Sequence, residues 1–313
     1  MKPKYPYHPT YLWLISLTAA LGGFLFGYDW VVIGGAKPFY EPYFNITSVE
    51  DQGWGTSSAL VGCMVGAALC IFLSDRLGRK RLLIAAGFLF SLSAIGTALA
   101  ESFFGFNLYR ILGGVAMGIA LNLSPLYISE MSPAEKRGRM VTINQLLIMF
   151  GVLLAQVANW QISLLDTELS DGASFEEIAQ SWSGQAGWRW MFGAELIPAG
   201  LFFILMFFVP ESTRWLIKNG QIEEARRVLV KLGGTDYAED SIRETQSTLR
   251  KGDESQINLG ALLLPKILRL LALGIFLAFL QQWSGINVVI YYAADIFQAA
   301  GFTLKQMMLN IVV

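Results

Sequence analysis

Charge is scarce in this chain: Asp, Glu, Lys and Arg supply 15% of its 313 residues, where a soluble domain carries about 25%. A water-facing shell around a core this size cannot be built from so few. What charge there is balances, with Lys+Arg 23 against Asp+Glu 24, so no basic excess points to a nucleic-acid partner. Histidine occurs once, at His8, and cysteine twice, at Cys63 and Cys70. Both cysteines fall in one apolar block with no His or acid near by, so they read as small core residues, and no metal site is expected. No nucleophile, base and orienting acid converge, and the sequence does not read as an enzyme.

What is present is 54% apolar residue, arranged in long blocks almost free of charge. A bilayer core about 30 Å thick needs roughly 20 helical residues. Seven blocks meet that length: Leu12 to Ile33, Trp54 to Leu73, Leu82 to Ala100, Phe104 to Ile128, Met140 to Leu164, Trp190 to Val209 and Leu268 to Tyr292. An eighth begins near Thr303. The expected fold class is an all-α membrane protein of about 7.5 spans. The first block carries Asp29 and lacks a small-residue cleavage pattern, so it reads as a span rather than a leader.

Basic residues set the expected orientation, because short cytoplasmic loops retain Lys and Arg. The N-terminus (Lys2, Lys4), Arg76 to Arg81, Lys136 to Arg139 and Arg214 to Arg269 together hold 19 basic residues. The opposite connections hold Lys37 alone, with nine acids. The N-terminus is therefore expected on the cytoplasmic side of a plasma (inner) membrane. The division expected is a six-helix bundle over 1–209, a cytoplasmic helical linker over 210–266 and the start of a second bundle over 267–313. Within the linker, Ile222, Ala225, Val228, Leu229 and Leu232 recur at helical spacing, and a second, more polar helix is expected from Asp236 to Lys251.

Charges inside spans are costly and mark function. Asp29, Arg110 and Glu195 are three such charges, and the sequence leaves two readings open, proton coupling or cross-bracing of three helices. The seventh span carries Gln281, Gln282, Asn287, Tyr291 and Tyr292 around Gly285. An unbroken helix would spread these amides widely, so local unwinding at Gly285 is expected. Amides donate and accept, as vicinal hydroxyls do, and interhelical glue is the alternative use. Gln145 and Gln156 share a face of the fifth span, and Phe26 stands one turn before Asp29. Gly62-x-x-x-Gly66 and Gly114-x-x-x-Gly118 read as close-packing motifs. Asp75 to Arg81 is a positive-inside anchor or a latch that pairs with other helix ends, with Glu130, Arg137, Glu211 and Arg214 offering charge at the same face. Asn45-Ile46-Thr47 fits a glycosylation acceptor.

Seven motifs in order carry a resemblance: Gly22 to Asp29, Asp75 to Lys80, Tyr109 to Gly114, Pro125 to Glu130 with Arg137-Gly138, Asn144-Gln145, Pro210 to Leu216, and Gln281 to Asn287. Through them the chain resembles the sugar porter family of the major facilitator superfamily, proton-coupled bacterial members above all. The resemblance implies a secondary active transporter of a hexose or pentose working by alternating access, with no cofactor beyond a proton gradient. It implies that Asp29 is protonated, Arg110 partners it and Glu195 tunes the pair. It further implies that Gln145, Gln281, Gln282 and Asn287 hold sugar hydroxyls with Phe26 alongside, and that Tyr291 and Tyr292 form an outer gate. The latch would comprise Asp75, Arg76, Arg79, Glu130, Arg137, Glu211 and Arg214. Other family members have twelve spans, so the chain is expected to be part of such a carrier. A proton-independent uniporter is the alternative, and a sugar sensor on the same fold is a further one.

Overall fold

The computed structural model describes residues 7–167, 169–170, 173–254 and 264–312. Lys2 and Lys4, Glu168 and Asp171 of the connection expected outside, and 255–263 of the linker expected in the cytoplasm lie outside them. Helices account for nearly all of the rest: α1 Pro9–Tyr43, α2 Val49–Leu77, α3 Arg79–Ala98, α4 Phe103–Met131 and α5 Arg137–Ser163, followed by α6 Phe175–Gln180. A π-helical turn, Ser183–Gly187, leads into α7 Trp188–Gly193 and α8 Leu196–Phe208. After α9 Thr213–Lys218 and α10 Ile222–Glu254 come α11 Pro265–Trp283, α12 Ile286–Tyr291, α13 Ala293–Ala299 and α14 Leu304–Val312. Among the described residues, seven stretches are long and apolar enough to cross a membrane, and they coincide with the seven sequence blocks.

Local chemistry sets the ends. Ser48, Ser102, Ser174 and Ser212 each accept a hydrogen bond from a first-turn amide of α2, α4, α6 and α9, satisfying donors that have no partner inside the helix. α1 outruns its expected span, because Pro38 and Pro42 are carried inside the helix instead of ending it. Lys37, expected in an external loop, is therefore a helical residue and is buried.

Small residues decide which helices touch. A Cβ on Gly62 would collide with the carbonyl oxygen of Ile111, and one on Gly114 with that of Ala59. Gly66 and Gly118 stand in the same relation to Val115 and Cys63. The two glycine motifs thus face each other along the α2–α4 contact, where close backbone approach replaces side-chain burial as the source of attraction. α1 packs on α5, and α4 also packs on α3 and α1. In the linker, Ala225, Val228, Leu229 and Leu232 are buried as their spacing required, and the helix is interrupted at Gly234 (φ 84°). Chain entry to the membrane is tied to this linker by the His8 amide, which donates to the Leu232 carbonyl at 2.9 Å.

The seventh span breaks at Gly285, whose φ of 77° is left-handed, a conformation open to glycine at little cost. α11 and α12 are consequently separate helices. α11 packs chiefly on α12, and its apolar flank is exposed.

Candidate functional site

Three ionisable side chains meet in the interior of the helix bundle. Asp29 in α1 is 1% exposed, Arg110 in α4 is 2% exposed, and Glu195 at the α7–α8 junction is 3% exposed. Arg110 Nη1 donates to Asp29 Oδ1, and Nη2 reaches the Asp29 backbone carbonyl at 3.3 Å. The guanidinium also lies over the Phe192 ring, 5.3 Å from its centroid. Glu195 interacts electrostatically with both partners. Yet Asp29 Oδ2, Arg110 Nε and Glu195 Oε1 have no hydrogen-bond partner. A fully buried ion pair is tolerated when its polar atoms are satisfied, and here one atom of each residue is not. The cluster is held together but kept incomplete.

The amides and aromatics expected around a sugar are distributed unevenly. Phe26 is half-buried and stacks on Trp30 at 5.9 Å. Gln145 is exposed on α5, and Gln281 and Gln282 are exposed at the end of α11. Across the Gly285 break, Asn287 Nδ2 donates to Gln282 Oε1 at 2.6 Å. The break therefore brings two of the four amides together, while the exposed side chains of Gln145 and Gln281 join no hydrogen bond with them among the described residues. Tyr291 is buried beside α1, and Tyr292 carries the Lys37 ammonium over its ring at 4.3 Å.

At the opposite end of α1 lies a charge network. Arg79 Nη1 donates to Asp75 Oδ1 and Nη2 to Glu130 Oε1, both at 3.0 Å. Glu211 accepts the backbone amides of Arg79 and Lys80 at 3.0 Å, placing an anion at the N-terminus of α3 where the helix dipole favours it. Two members were missed by sequence reasoning: Lys218 donates to Asp75 Oδ2 at 2.8 Å, and Ser212 Oγ donates to Glu130 Oε2 at 2.5 Å. Ser212 lies inside the Pro210 to Leu216 motif and was legible there. Lys218 had no signal, because α9, the helix that aims it, was not anticipated. Arg137 is exposed and donates from Nε to the Ser129 carbonyl. Arg76 and Arg214 are exposed and join no ion pair among the described residues.

The family model described as "Sugar (and other) transporter" matches residues 15–313. The D-xylose-proton symporter of Escherichia coli K12 is 37% identical over 94% of this chain and 62% of its own length. The glucose transport protein of Synechocystis sp. is 38% identical over 96% of this chain and 62% of its own. The arabinose-proton symporter of Bacillus subtilis is 34% identical, over 92% and 59% respectively. Among solved structures, the proton:xylose symporter XylE bound to 6-bromo-6-deoxy-D-glucose superposes with a TM-score of 0.83 at 34% identity, covering 98% of this chain and 66% of that one. The partially occluded, inward-open form of XylE from E. coli gives 0.80 at 33% identity, covering 96% and 69%. The chain spans about three fifths of the length of the curated relatives it matches. With this fold and these matches, the chain belongs to the sugar transporter family, a multi-pass membrane branch of the major facilitator superfamily and not a family of enzymes.

Proposed function

We propose that the protein carries a monosaccharide, a hexose or a pentose, across the membrane by proton-coupled symport. The observation that carries this reading is the buried Asp29–Arg110–Glu195 cluster with one unsatisfied atom on each residue. Asp29 in its ionised form holds Arg110. Protonation removes the charge that attracts the guanidinium and leaves Glu195, whose Oε1 has no hydrogen-bond partner, as the acceptor still open to it. Arg110 then shifts from α1 toward the α7–α8 junction, and α1 is released. Proton arrival is thereby converted into a change of helix contacts, which is what coupling requires.

In this reading the sugar is held by Gln145, Gln281, Gln282 and Asn287 with Phe26 as its apolar wall, and Tyr291 and Tyr292 close the site from outside. The Asp75, Arg79, Glu130 and Glu211 network is the inner latch, and Arg76, Arg137 and Arg214 join it in another state. The N-terminus faces the cytoplasm, the membrane is the plasma (inner) membrane, and residues 1–209, 210–266 and 267–313 are first bundle, linker and second bundle. The driving force is the proton gradient, with no cofactor.

The deciding experiment is uptake of radiolabelled xylose and glucose into proteoliposomes under an imposed pH gradient. Accumulation above equilibrium that collapses with a protonophore supports symport. Uptake indifferent to the protonophore establishes the uniporter instead.

A further inference from the structure

Lys37 is a cation buried where a loop residue was expected. Its side chain is 3% exposed, and two carboxylates share it: Asp295 Oδ2 of α13 at 2.5 Å, and Glu41 Oε1, one turn along α1, at 3.8 Å. Tyr292 covers it from the side of α13. Gly34 marks the same contact one turn earlier, where a Cβ would press on the Ile290 carbonyl at 2.6 Å. Thus α1 meets the α12–α13 segment both at Gly34 and at the Lys37 ammonium.

The two carboxylates differ in what ties them to Lys37. Glu41 travels with it on α1, whereas Asp295 sits on a separate helix and is 48% exposed. Glu41 Oε1 has no hydrogen-bond partner in the observed arrangement, and Glu41 also feels the charge of Asp295. Withdrawing α13 would strip Lys37 of Asp295 and of the Tyr292 ring. A buried ammonium left alone is strongly disfavoured. Here it is not left alone, because Glu41 stands ready with a vacant oxygen and the repulsion between the two acids ends at the same moment.

We infer that Lys37, Glu41 and Asp295 form a hand-off gate at the outer end of α1, in which Asp295 holds the closed state and Glu41 receives the ammonium when the gate opens. These are positioning residues, which act on the α1–α12–α13 contact and touch no substrate. The inference rests on the proposed orientation and on Tyr291 and Tyr292 being the outer gate. Its signature is a pair of opposite effects. Asp295→Asn removes the closed-state partner and raises the open fraction. Glu41→Gln removes the open-state partner and lowers it. A merely structural salt bridge would loosen the contact in both variants.

The test uses the full chain in cells, with Cys63→Ala and Cys70→Ala to clear the background and Ala294→Cys as reporter. Ala294 is 3% exposed and borders the same outer cavity, about 420 Å³, as Lys37, Glu41 and Asp295. Labelling by a membrane-impermeant maleimide is expected to accelerate roughly fivefold or more in Asp295→Asn and to slow by a similar factor in Glu41→Gln. Glu41→Asp, which keeps the charge, should return the rate toward that of the parent. Effects of the same sign in Asp295→Asn and Glu41→Gln, or no effect, overturn the hand-off. Reaction only in inverted vesicles overturns the orientation, and with it the outer gate. Neither result bears on sugar uptake, which is measured separately.

Discussion

Arg110 holds Asp29 through one carboxylate oxygen and leaves the other, which lies against Gly113, without a donor. An arrangement built for bracing alone would be expected to close that bond. Asp29→Asn keeps the shape and removes the carboxylate. It is expected to abolish accumulation of sugar against a gradient while leaving equilibrative counterflow, both measured in proteoliposomes. In the proposed mechanism, Glu195→Gln removes the second station of Arg110. Its expected effect is slower proton-driven uptake with counterflow closer to the parent, read as a change in the ratio of the two rates. Asp29, Arg110 and Glu195 stood out in the sequence as three charges within apolar spans, but that they meet was not readable there. Lys37 was not legible. A lone lysine beside two prolines resembles a loop, and only the continuation of α1 through Pro38 and Pro42 buries it.

Among the helices, glycine does two separate jobs. Along α2 and α4 the paired motifs remove side chains so that backbones touch; that each motif packs closely was readable from four-residue spacing, and that they face each other was not. Gly114→Leu drives a side chain into the Ala59 carbonyl, and overpacking of this kind costs about 1–3 kcal/mol or more. A lowered unfolding temperature in detergent is expected for it, while Gly200→Leu, with open space around its Cβ position, should leave that temperature nearly unchanged. At Gly285 the job is a change of direction, and the clustering of amides on both sides signalled it. Gly285→Ala forces a β-carbon onto a left-handed backbone, at a cost of about 1–2 kcal/mol. Weaker sugar binding, seen as a raised KM, is expected from the displaced Gln282–Asn287 pair. Which face of α11 those amides finally present was not readable, because periodicity gives relative angles along a helix and says nothing of the neighbour it meets.

For the molecule as a whole, the two ends of the bundle carry unlike closures. The end proposed as inner is a many-membered network in which the side chains of Arg79 and Glu130 are both buried and that of Asp75 is half-exposed. The exposed Asp75–Lys218 pair contributes little, about 0–1 kcal/mol, whereas Glu130→Gln leaves Arg79 short of its buried counter-charge. That variant is expected to favour opening on the cytoplasmic side, and faster modification of a cysteine placed at Ser129 in inverted vesicles would record it. Sequence motifs located most of this network. They did not locate Lys218, since the connection between Glu211 and Gln221 showed no helical period long enough to announce α9.

A single element runs between the two ends. α1 is 35 residues long, about 52 Å at 1.5 Å per residue, and it reaches from the linker contact at His8 to the ammonium at Lys37, with Asp29 in between. A rod held at a point along its length behaves as a see-saw: a tilt that lifts one end lowers the other. If α1 stays straight, the two faces of the membrane need no signal passed between them to avoid being open together, because the stiffness of a single helix forbids it.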